Sequence, residues 1–438
     1  MKFVDYAPPA SPSLEQQRDA LQKGLGRAMQ WALVGQLNDE PLLEACLQDQ
    51  RHDSQLEACR GDWLWEIVRT VGATDRFRVP ILHALYELSD DGSADQLCGL
   101  ARCYGATGDE PFRTRLYEIV EQKPFPCQCP SLGEEEIIAL DGEQAFLFAA
   151  KMRGRSLAKP EEWDDGSLGH FAVERFGEER VSALLDGSSD AEITRFRECW
   201  RRIELHWTEQ RRNGSQEGRM AATSVTKIIQ EAEGESMCYW FMGWGKNASE
   251  ADLLIVLQRL WTEQDPKVIV KLLRVFSGRA LPEFDARFFD LCRHGDEEIR
   301  RRAFHALERN TLPLIREFAL NELQRGMPDE SVVGLFINNY GQGDEQRILE
   351  AMVLPDDVCL LHWLFYDVVE ILEKNPKADC SQLGLVCYVV TPCGNCRFRS
   401  ARLLLKQQAA PQWLMEECRH DSGKECRELF ANAAGSTE

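Results

Sequence analysis

The feature that most constrains this chain is a helix pattern that recurs at intervals of 31 to 35 residues. In its clearest copy, Asp296 can cap a helix whose first apolar positions are Ile299 and Ala303. The same frame begins at Asp265, 31 residues earlier, and at Asp329, 33 residues later. Self-similarity at a period of roughly 20 to 50 residues is typical of repeat proteins, in which similar units stack along the chain.

Further copies of the frame occur toward both ends of the sequence. Thr74 and Asp109 begin two copies that are 35 residues apart, and Cys393 and Gly423 begin two more. In several copies the residue four positions after the start is arginine, as Arg300 is. We therefore expect repeats along most of the chain, because each helix pair leaves an apolar face that only its neighbour can cover.

Signals for β-strands are scarce. β-branched residues seldom alternate with polar ones, and apolar residues instead recur at spacings of three and four. Short breaks rich in Gly, Asp, Pro and Asn separate these segments. The run LGLVCYVV at 383–390 resembles a strand but fits a buried helix equally well. The sequence therefore predicts an all-α fold of alternating helices and turns.

The segment HGDEEIRRRAFHALERN, residues 294–310, resembles the second helix of a HEAT repeat. The resemblance is most specific over 246–345 and also covers 60–125 and 385–432. It implies an α-solenoid of antiparallel helix pairs, with a concave face lined by the second helices. It also implies that Arg300 pairs with acidic groups of an adjacent repeat.

The repeat frame divides the chain into three parts. Residues 1–130 are predicted to form N-terminal HEAT-like repeats, and residues 246–438 are predicted to form C-terminal ones. Between them, residues 131–245 lose the register around breaks such as SLAKPEEWDDGSLG and RRNGSQEGRM. This central segment is predicted to be either a set of irregular helical repeats or an inserted subdomain specific for a partner.

The charge of the chain disfavours some partners and locations. With 51 basic and 72 acidic residues, the net charge of −21 repels a phosphate backbone, so nucleic acid is disfavoured and a basic protein partner is favoured. No apolar run approaches the roughly 20 residues that cross a bilayer, and the N-terminal segment lacks a signal-peptide pattern. We therefore expect a cytoplasmic protein with no membrane contact, whose 16 cysteines are reduced.

Cysteines near the C-terminus suggest a metal site as an alternative to a protein without cofactors. A C-x-x-C pair followed by two more cysteines could bind zinc tetrahedrally. The four are Cys393, Cys396, Cys418 and Cys426. Against this hypothesis, Cys396 and Cys426 occupy apolar core positions of the repeat frame and are explained by packing alone. Cys127 and Cys129 form a weaker pair. We expect no metal and no cofactor, with this zinc site as the alternative.

Catalytic motifs are missing from the sequence. It contains no His-Glu dipeptide, the iron-ligand signature of the HEAT-like deoxyhypusine hydroxylases, and none of its eight histidines has metal-ligand spacing. Phosphate-loop, dinucleotide-binding and nucleophile-elbow patterns are also absent. We therefore predict that the protein is not an enzyme. A HEAT-like DNA glycosylase or bilin-lyase-type enzyme is the alternative, and it would need a deep pocket holding a carboxylate between tryptophans.

The predicted function is that of a scaffold or adaptor whose concave surface binds a protein. Tyr239, Trp240 and Trp244 lie together in MCYWFMGWG and would supply aromatic anchors if they are exposed. Packing in the core is the alternative explanation for all three. Arg301 and Arg302 follow Arg300 in a basic cluster and are better placed to meet a partner. A metal-responsive or ligand-responsive regulator that uses the C-terminal cysteines is a further alternative.

Overall fold

The computed structural model describes residues 6–53, 57–123, 131–159, 161–212 and 223–434. All regular secondary structure in these ranges is helical, which confirms the all-α prediction. The segment 383–390 lies within a helix, as one of its two interpretations required. None of the described helices combines the length and the apolar composition needed to cross a bilayer.

The described residues form two compact units. One contains residues 6–7 and 223–412, and we call it the continuous unit because all of its helices lie within the second of these ranges. The other contains residues 8–212 together with residues 413–434, and we call it the discontinuous unit. The predicted three-part division at residues 130 and 245 remains a prediction based on repeat register.

The first part of the discontinuous unit consists of short helices joined by tight turns. They are α1 (Leu14–Lys23), α2 (Arg27–Leu33), α3 (Asp39–Leu47), α4 (Gly61–Thr70), α5 (Thr74–Ala84), α6 (Asp91–Ala106), α7 (Glu110–Gln122), α8 (Glu134–Asp141), α9 (Glu143–Ser156), α10 (Ser167–Phe176), α11 (Glu178–Asp186) and α12 (Ala191–Arg212). Two of the predicted helix starts are confirmed here, because Asp109 is the N-cap of α7 and Thr74 is the first residue of α5.

The continuous unit has the same character. Its helices are α13 (Val225–Glu233), α14 (Phe241–Asn247), α15 (Glu250–Thr262), α16 (Pro266–Arg274), α17 (Arg287–Leu291), α18 (Glu297–Glu308), α19 (Pro313–Gln324), the 3-10 helix η1 (Glu330–Phe336), α20 (Asp344–Ala351), α21 (Val358–Lys374), α22 (Ser381–Val390) and α23 (Gly394–Lys406). The helices α24 (Gln412–Cys418) and α25 (Lys424–Ala434) follow and complete the discontinuous unit.

The three clearest predicted helix starts are confirmed by N-caps in the continuous unit. The side chain of Asp296 accepts a hydrogen bond from the backbone N–H of Ile299 at 3.1 Å. Asp265 and Asp329 cap α16 and η1 in the same way, at 2.9 and 3.0 Å. Each carboxylate accepts a hydrogen bond from a backbone N–H that has no partner within the helix. Its negative charge is also stabilised by the positive end of the helix dipole.

The helices that begin at these caps pack one after another. Helix α16 contacts α18, α18 contacts η1, η1 contacts α21, and α21 contacts α23. Four of these helices also contact the helix before them in sequence: α16 contacts α15, α18 contacts α17, η1 contacts α19, and α23 contacts α22. The apolar side chains at their shared faces, such as Leu272, Ile299 and Leu335, are fully buried. Helices α16, α18, η1, α21 and α23 therefore lie next to one another and form one layer of the continuous unit, which we call the layer of second helices.

Four side-chain amides link successive helix pairs of the continuous unit, and we call them the amide ladder. They are Asn310, Asn339, Asn375 and Gln407. The buried Asn339 accepts from the backbone N–H of Leu312 at 2.8 Å and donates to the carbonyl of Asn310 at 2.8 Å. Asn310 accepts from the backbone N–H of Leu281 at 2.9 Å. The ladder thus satisfies the backbone of the turns that join one pair to the next.

In three places, the arginine that stands four residues after a predicted helix start pairs with an aspartate about one repeat period later in the sequence. Arg300 lies 3.1 Å from Asp329, which confirms the expected pairing of Arg300. In the discontinuous unit Arg78 makes two hydrogen bonds to Asp109, and Arg113 pairs with Asp141. These ion pairs orient a helix relative to the cap of the following one.

A buried ionic network, centred on Arg153, holds the middle of the discontinuous unit. Its guanidinium donates to both carboxylate oxygens of Glu134, at 2.7 and 2.9 Å. It also donates to Asp164 at 3.1 Å and to Asp165 at 3.2 Å. Because Arg153, Glu134 and Asp164 are all buried, burial alone would raise the pKa of Glu134, and the bonds to Arg153 oppose this effect.

Residues 413–434 pack against the first helices of the discontinuous unit. Glu417, which is fully buried, lies 2.8 Å from Arg27 of α2. Trp63 of α4 donates its indole N–H to the carbonyl of His420 at 2.9 Å. A methyl group at Gly26 would lie 1.9 Å from the Glu417 carbonyl oxygen, so glycine is required for this approach.

Candidate functional site

Tyr239 occupies an exposed position, as a partner contact requires. It is 68% exposed, and the guanidinium of Arg274 lies 4.6 Å from the centre of its ring. Trp240 is half-buried and packs edge to face on Phe241, at 5.0 Å between ring centres. A tyrosine held by an arginine is a rigid amphipathic anchor of the kind that binding surfaces use.

Trp244 is a core residue. It is 1% exposed, and its indole N–H donates to the carbonyl of Thr223 at 2.8 Å. Core packing, the alternative explanation given for these aromatics, therefore holds for Trp244. A direct contact between Trp244 and a partner has no support in this arrangement and is left out of the proposal below.

Arg301 and Arg302 are half-buried and both pair with Glu298 on the same helix. Glu298 also lies 3.6 Å from Arg274, whose guanidinium lies over the ring of Tyr239. Five residues from three successive segments are therefore connected in one row across α16 and α18. We call Tyr239, Arg274, Glu298, Arg301 and Arg302 the contact row.

Two carboxyl groups approach the same position at Gly334 of η1. A methyl group at Gly334 would lie 2.8 Å both from Glu308 Oε1 and from Asp367 Oδ2. Glu308 Oε1 is buried and has no hydrogen-bond partner among the described residues. His305 Nε2 lies 3.8 Å away, beyond hydrogen-bond distance. We call Glu308 and Asp367 the carboxyl pair.

Burial governs the electrostatics of the carboxyl pair. It raises the pKa of Glu308 to about 7, and burial together with the charge of Glu308 raises the pKa of Asp367 well above its usual range. Burial also lowers the pKa of His305 to about 4, so its imidazole is neutral near pH 7 and supplies no compensating charge. The charges of Arg309 and Lys374 act on Glu308 in the opposite direction, but no cation bonds its buried Oε1 within the described residues.

A second cluster brings together His362, Cys393 and Cys396. His362 lies on α21, Cys393 is the N-cap of α23, and Cys396 lies in the first turn of α23. The potential ligand atoms of the three side chains all lie within 4.8 Å of one another. Both cysteines are buried, whereas His362 is half-buried. We call these residues the thiol cluster.

Hydrogen bonds distinguish the two sulfurs of the thiol cluster. The bond from the Cys396 thiol lowers the pKa of Cys393, and a further bond to His362 acts in the same direction. The same Cys393–Cys396 bond, together with burial, raises the pKa of Cys396. The arrangement favours negative charge on Cys393 over Cys396, and Cys393 lies at a helix N-terminus that acts in the same direction.

The four-cysteine zinc hypothesis stays a prediction, and the thiol cluster contains two of its four cysteines. Cys393 and Cys396 belong to the continuous unit, whereas Cys418 and Cys426 are buried in the discontinuous unit, 3.6 Å apart at sulfur. His362 was not identified from the sequence as a potential metal ligand. Cys127 and Cys129 lie outside the described residues.

The discontinuous unit contains an open cavity of about 650 Å³ that has some of the features expected of a HEAT-like enzyme. The exposed Trp163 and Trp207 line it together with Asp164 and Asp165. Each of these carboxylates, however, accepts hydrogen bonds from Arg153 and from a backbone N–H of the turn that follows. Both oxygens of Asp164 and Oδ1 of Asp165 are therefore engaged in holding the fold.

No family model, curated protein or solved structure matches this chain. The function therefore has to be inferred from the three features described above: the contact row, the carboxyl pair and the thiol cluster. Of their members, the sequence analysis singled out Tyr239, Arg301, Arg302, Cys393 and Cys396. It missed Arg274, Glu298, Glu308, Asp367 and His362.

Proposed function

We propose that the protein is a scaffold of HEAT-like helix pairs that binds a basic segment of a protein partner on the layer of second helices. The observation that carries the proposal is the carboxyl pair, in which a buried oxygen of Glu308 faces Asp367 without a hydrogen-bond partner among the described residues. Neighbouring carboxyl groups with raised pKa values are stabilised by a cation placed between them. A lysine or arginine side chain of the partner would supply that cation.

The surroundings of the pair support a polypeptide ligand. The contact row lies on α16 and α18, and the carboxyl pair lies on α18 and α21, so both belong to the same layer of helices. Tyr239 offers an exposed aromatic anchor, and Arg301 and Arg302 offer hydrogen-bond donors. A partner segment that crosses these helices would meet an aromatic, a cationic and an acidic position in turn.

The overall charge favours the same class of partner. At a net charge of −21 the chain attracts basic proteins over distances set by the ionic strength. Such long-range attraction raises the association rate and is screened by salt, whereas a desolvated ion pair at Glu308 and Asp367 persists in moderate salt. The salt dependence of binding therefore distinguishes a specific partner from a nonspecific basic protein.

The test is an affinity purification from the native host with the tagged full-length protein, repeated with the double variant Glu308→Gln, Asp367→Asn. We expect a stoichiometric basic protein to bind the unmodified chain in moderate salt, and binding to weaken about ten-fold or more in the double variant because a charged hydrogen bond contributes roughly 1.5–3 kcal/mol. The matched control is Glu317→Gln, which neutralises an exposed carboxyl group of the same unit.

A second pair of variants tests the aromatic anchor. Tyr239 and Tyr86 are both exposed and both lie under an arginine, at 4.6 Å from Arg274 and 4.4 Å from Arg115. We expect Tyr239→Ala to weaken partner binding and Tyr86→Ala, in the discontinuous unit, to leave it unchanged. Recovery of no partner, or equal binding by all variants, would contradict the proposal.

A further inference from the structure

We propose that His362, Cys393 and Cys396 bind one zinc ion, and that the fourth position of this ion is left open for water or for a ligand from outside the chain. The inference is independent of the scaffold proposal, because it concerns a different set of side chains. Two thiolates, one imidazole and one open position form a ligand set that zinc accepts in proteins. The three groups are brought together by two different helices, so the cluster is a product of the fold.

The distances suit a tetrahedral ion. With Zn–S bonds of about 2.3 Å and Zn–N bonds of about 2.0 Å, ligand atoms on a tetrahedron lie roughly 3.5–3.8 Å apart. The ligand atoms of the thiol cluster all lie within 4.8 Å of one another. Side-chain rotations that move the ligand atoms by about 1 Å would therefore bring them to these distances without movement of the backbone.

The backbone explains why the two sulfurs converge. Cys393 is the N-cap of the 13-residue helix α23, and Cys396 follows three residues later in its first turn. Residues three apart at a helix start lie on the same side of the helix. Helix α21 packs against α23, and this contact brings His362 to the two sulfurs. Thiolate and imidazole ligands favour zinc over magnesium and calcium, which bind oxygen.

A disulfide between Cys393 and Cys396 is the competing explanation for the C-x-x-C pair. It would use both sulfurs but would leave the position of the imidazole unexplained, whereas a zinc ion uses all three groups. Both sulfurs are buried while His362 is half-buried, so the open position of the ion lies on the His362 side. An incoming ligand would reach the ion from that side.

The test uses the full-length protein, reduced, stripped of metal and titrated with zinc against a chromophoric chelator. We expect one zinc per chain. We also expect Cys393→Ser, Cys396→Ser and His362→Ala each to weaken zinc binding by more than about 100-fold, which is the upper end of the loss caused by changing a residue that only hydrogen-bonds to a metal ligand. Cys359→Ser is the matched control, since it removes an exposed thiol one turn before His362 on the same helix. Circular dichroism checks the helix content of every variant.

Cobalt substitution keeps the proposal testable if a buried cysteine variant fails to fold. Bound cobalt gives a thiolate-to-metal absorption band, and its visible bands report the coordination geometry. Because His362 is half-buried, we expect His362→Ala to fold and to change the cobalt spectrum. Three results would overturn the proposal: no zinc uptake by the reduced protein, full affinity in Cys393→Ser, or loss of zinc in the double variant Cys418→Ser, Cys426→Ser.

Discussion

Two regions of this protein satisfy buried polar groups by different means. In the continuous unit the amide ladder joins neighbouring helix pairs with uncharged hydrogen bonds, as Asn339 does at 2.8 Å to Leu312 and to Asn310. In the middle of the discontinuous unit a single guanidinium, that of Arg153, joins Glu134, Asp164 and Asp165. The amide ladder repeats one uncharged arrangement, whereas the Arg153 network depends on one ionic centre.

The difference predicts how strongly the loss of one residue destabilises each region. A ladder distributes its hydrogen bonds over several turns, so the loss of one member leaves the others in place. An ionic centre concentrates its bonds, and the loss of its only cation leaves buried carboxylates without compensation. The predictions below test this contrast by removing one member of each device, together with one group that titrates.

The largest effect is expected for Arg153→Met. It leaves the carboxylates of Glu134 and Asp164 buried without their cation, which costs about 3–5 kcal/mol of unfolding free energy. Hydrogen exchange followed by mass spectrometry should show loss of protection over residues 131–168 at neutral pH. The matched control is Arg180→Met, whose ion pair with Glu143 is exposed to solvent, and it should change exchange little. Unchanged protection in Arg153→Met would contradict the assignment of an ionic centre.

A smaller effect is expected for Asn339→Ala. The change leaves the buried backbone N–H of Leu312 and the carbonyl of Asn310 without their partner, at a cost of about 1–3 kcal/mol. Exchange should rise around residues 306–340 and remain unchanged over 131–168. The control is Asn247→Ala, which removes an exposed bond within one helix and should cost less than about 0.5 kcal/mol. Equal effects of the two variants would argue against a ladder.

The smallest effect, and one of opposite sign, is expected for Glu308→Gln. Burial raises the pKa of Glu308 to about 7, above the value of about 4.3 in an unfolded chain, so the folded state holds this proton more tightly. The unfolding free energy should therefore fall as the pH rises from about 4 to 7. The groups that face Glu308 are Asp367, Glu370, Arg309, Lys374 and His305.

Glu308→Gln removes this dependence on pH. The variant should be more stable than the unmodified protein at pH 8, by about 1–2 kcal/mol, and should equal it near pH 4. Thermal unfolding at the two pH values measures the difference, and Glu317→Gln, at an exposed position, is the control. A variant that is less stable at pH 8 would show that the Glu308 carboxylate is stabilising, contrary to the arrangement described here.

What could be predicted from the sequence was mostly local. The caps at Asp265, Asp296 and Asp329 follow from the chemistry of a helix start, in which a short acidic side chain bonds a backbone N–H two or three residues later. The pairing of Arg300 with Asp329 spans 29 residues and was expected only because the segment resembles a HEAT repeat. Local chemistry and a repeating frame were sufficient for these features.

The parts that were not predicted depend on packing between helices. Asn339 gives no sign in the sequence that it links two turns, since its partners at Leu312 and Asn310 become neighbours only when the helix pairs stack. His362 stands 31 residues before Cys393, a spacing that matches no metal-binding motif, and only the contact of α21 with α23 brings them together. The grouping of Cys393 and Cys396 with Cys418 and Cys426 stays a prediction, since the two pairs belong to different units.

The position of residues 413–434 in the discontinuous unit has a consequence for synthesis on the ribosome. The chain emerges from its N-terminus, so α2 and α4 appear long before Glu417 and His420, which bind Arg27 and Trp63. By the time these partners emerge, all of the continuous unit has already left the ribosome and is able to fold. The discontinuous unit is therefore the last to be completed. The surfaces of α2 and α4 that bind Glu417 and His420 stay uncovered through most of translation.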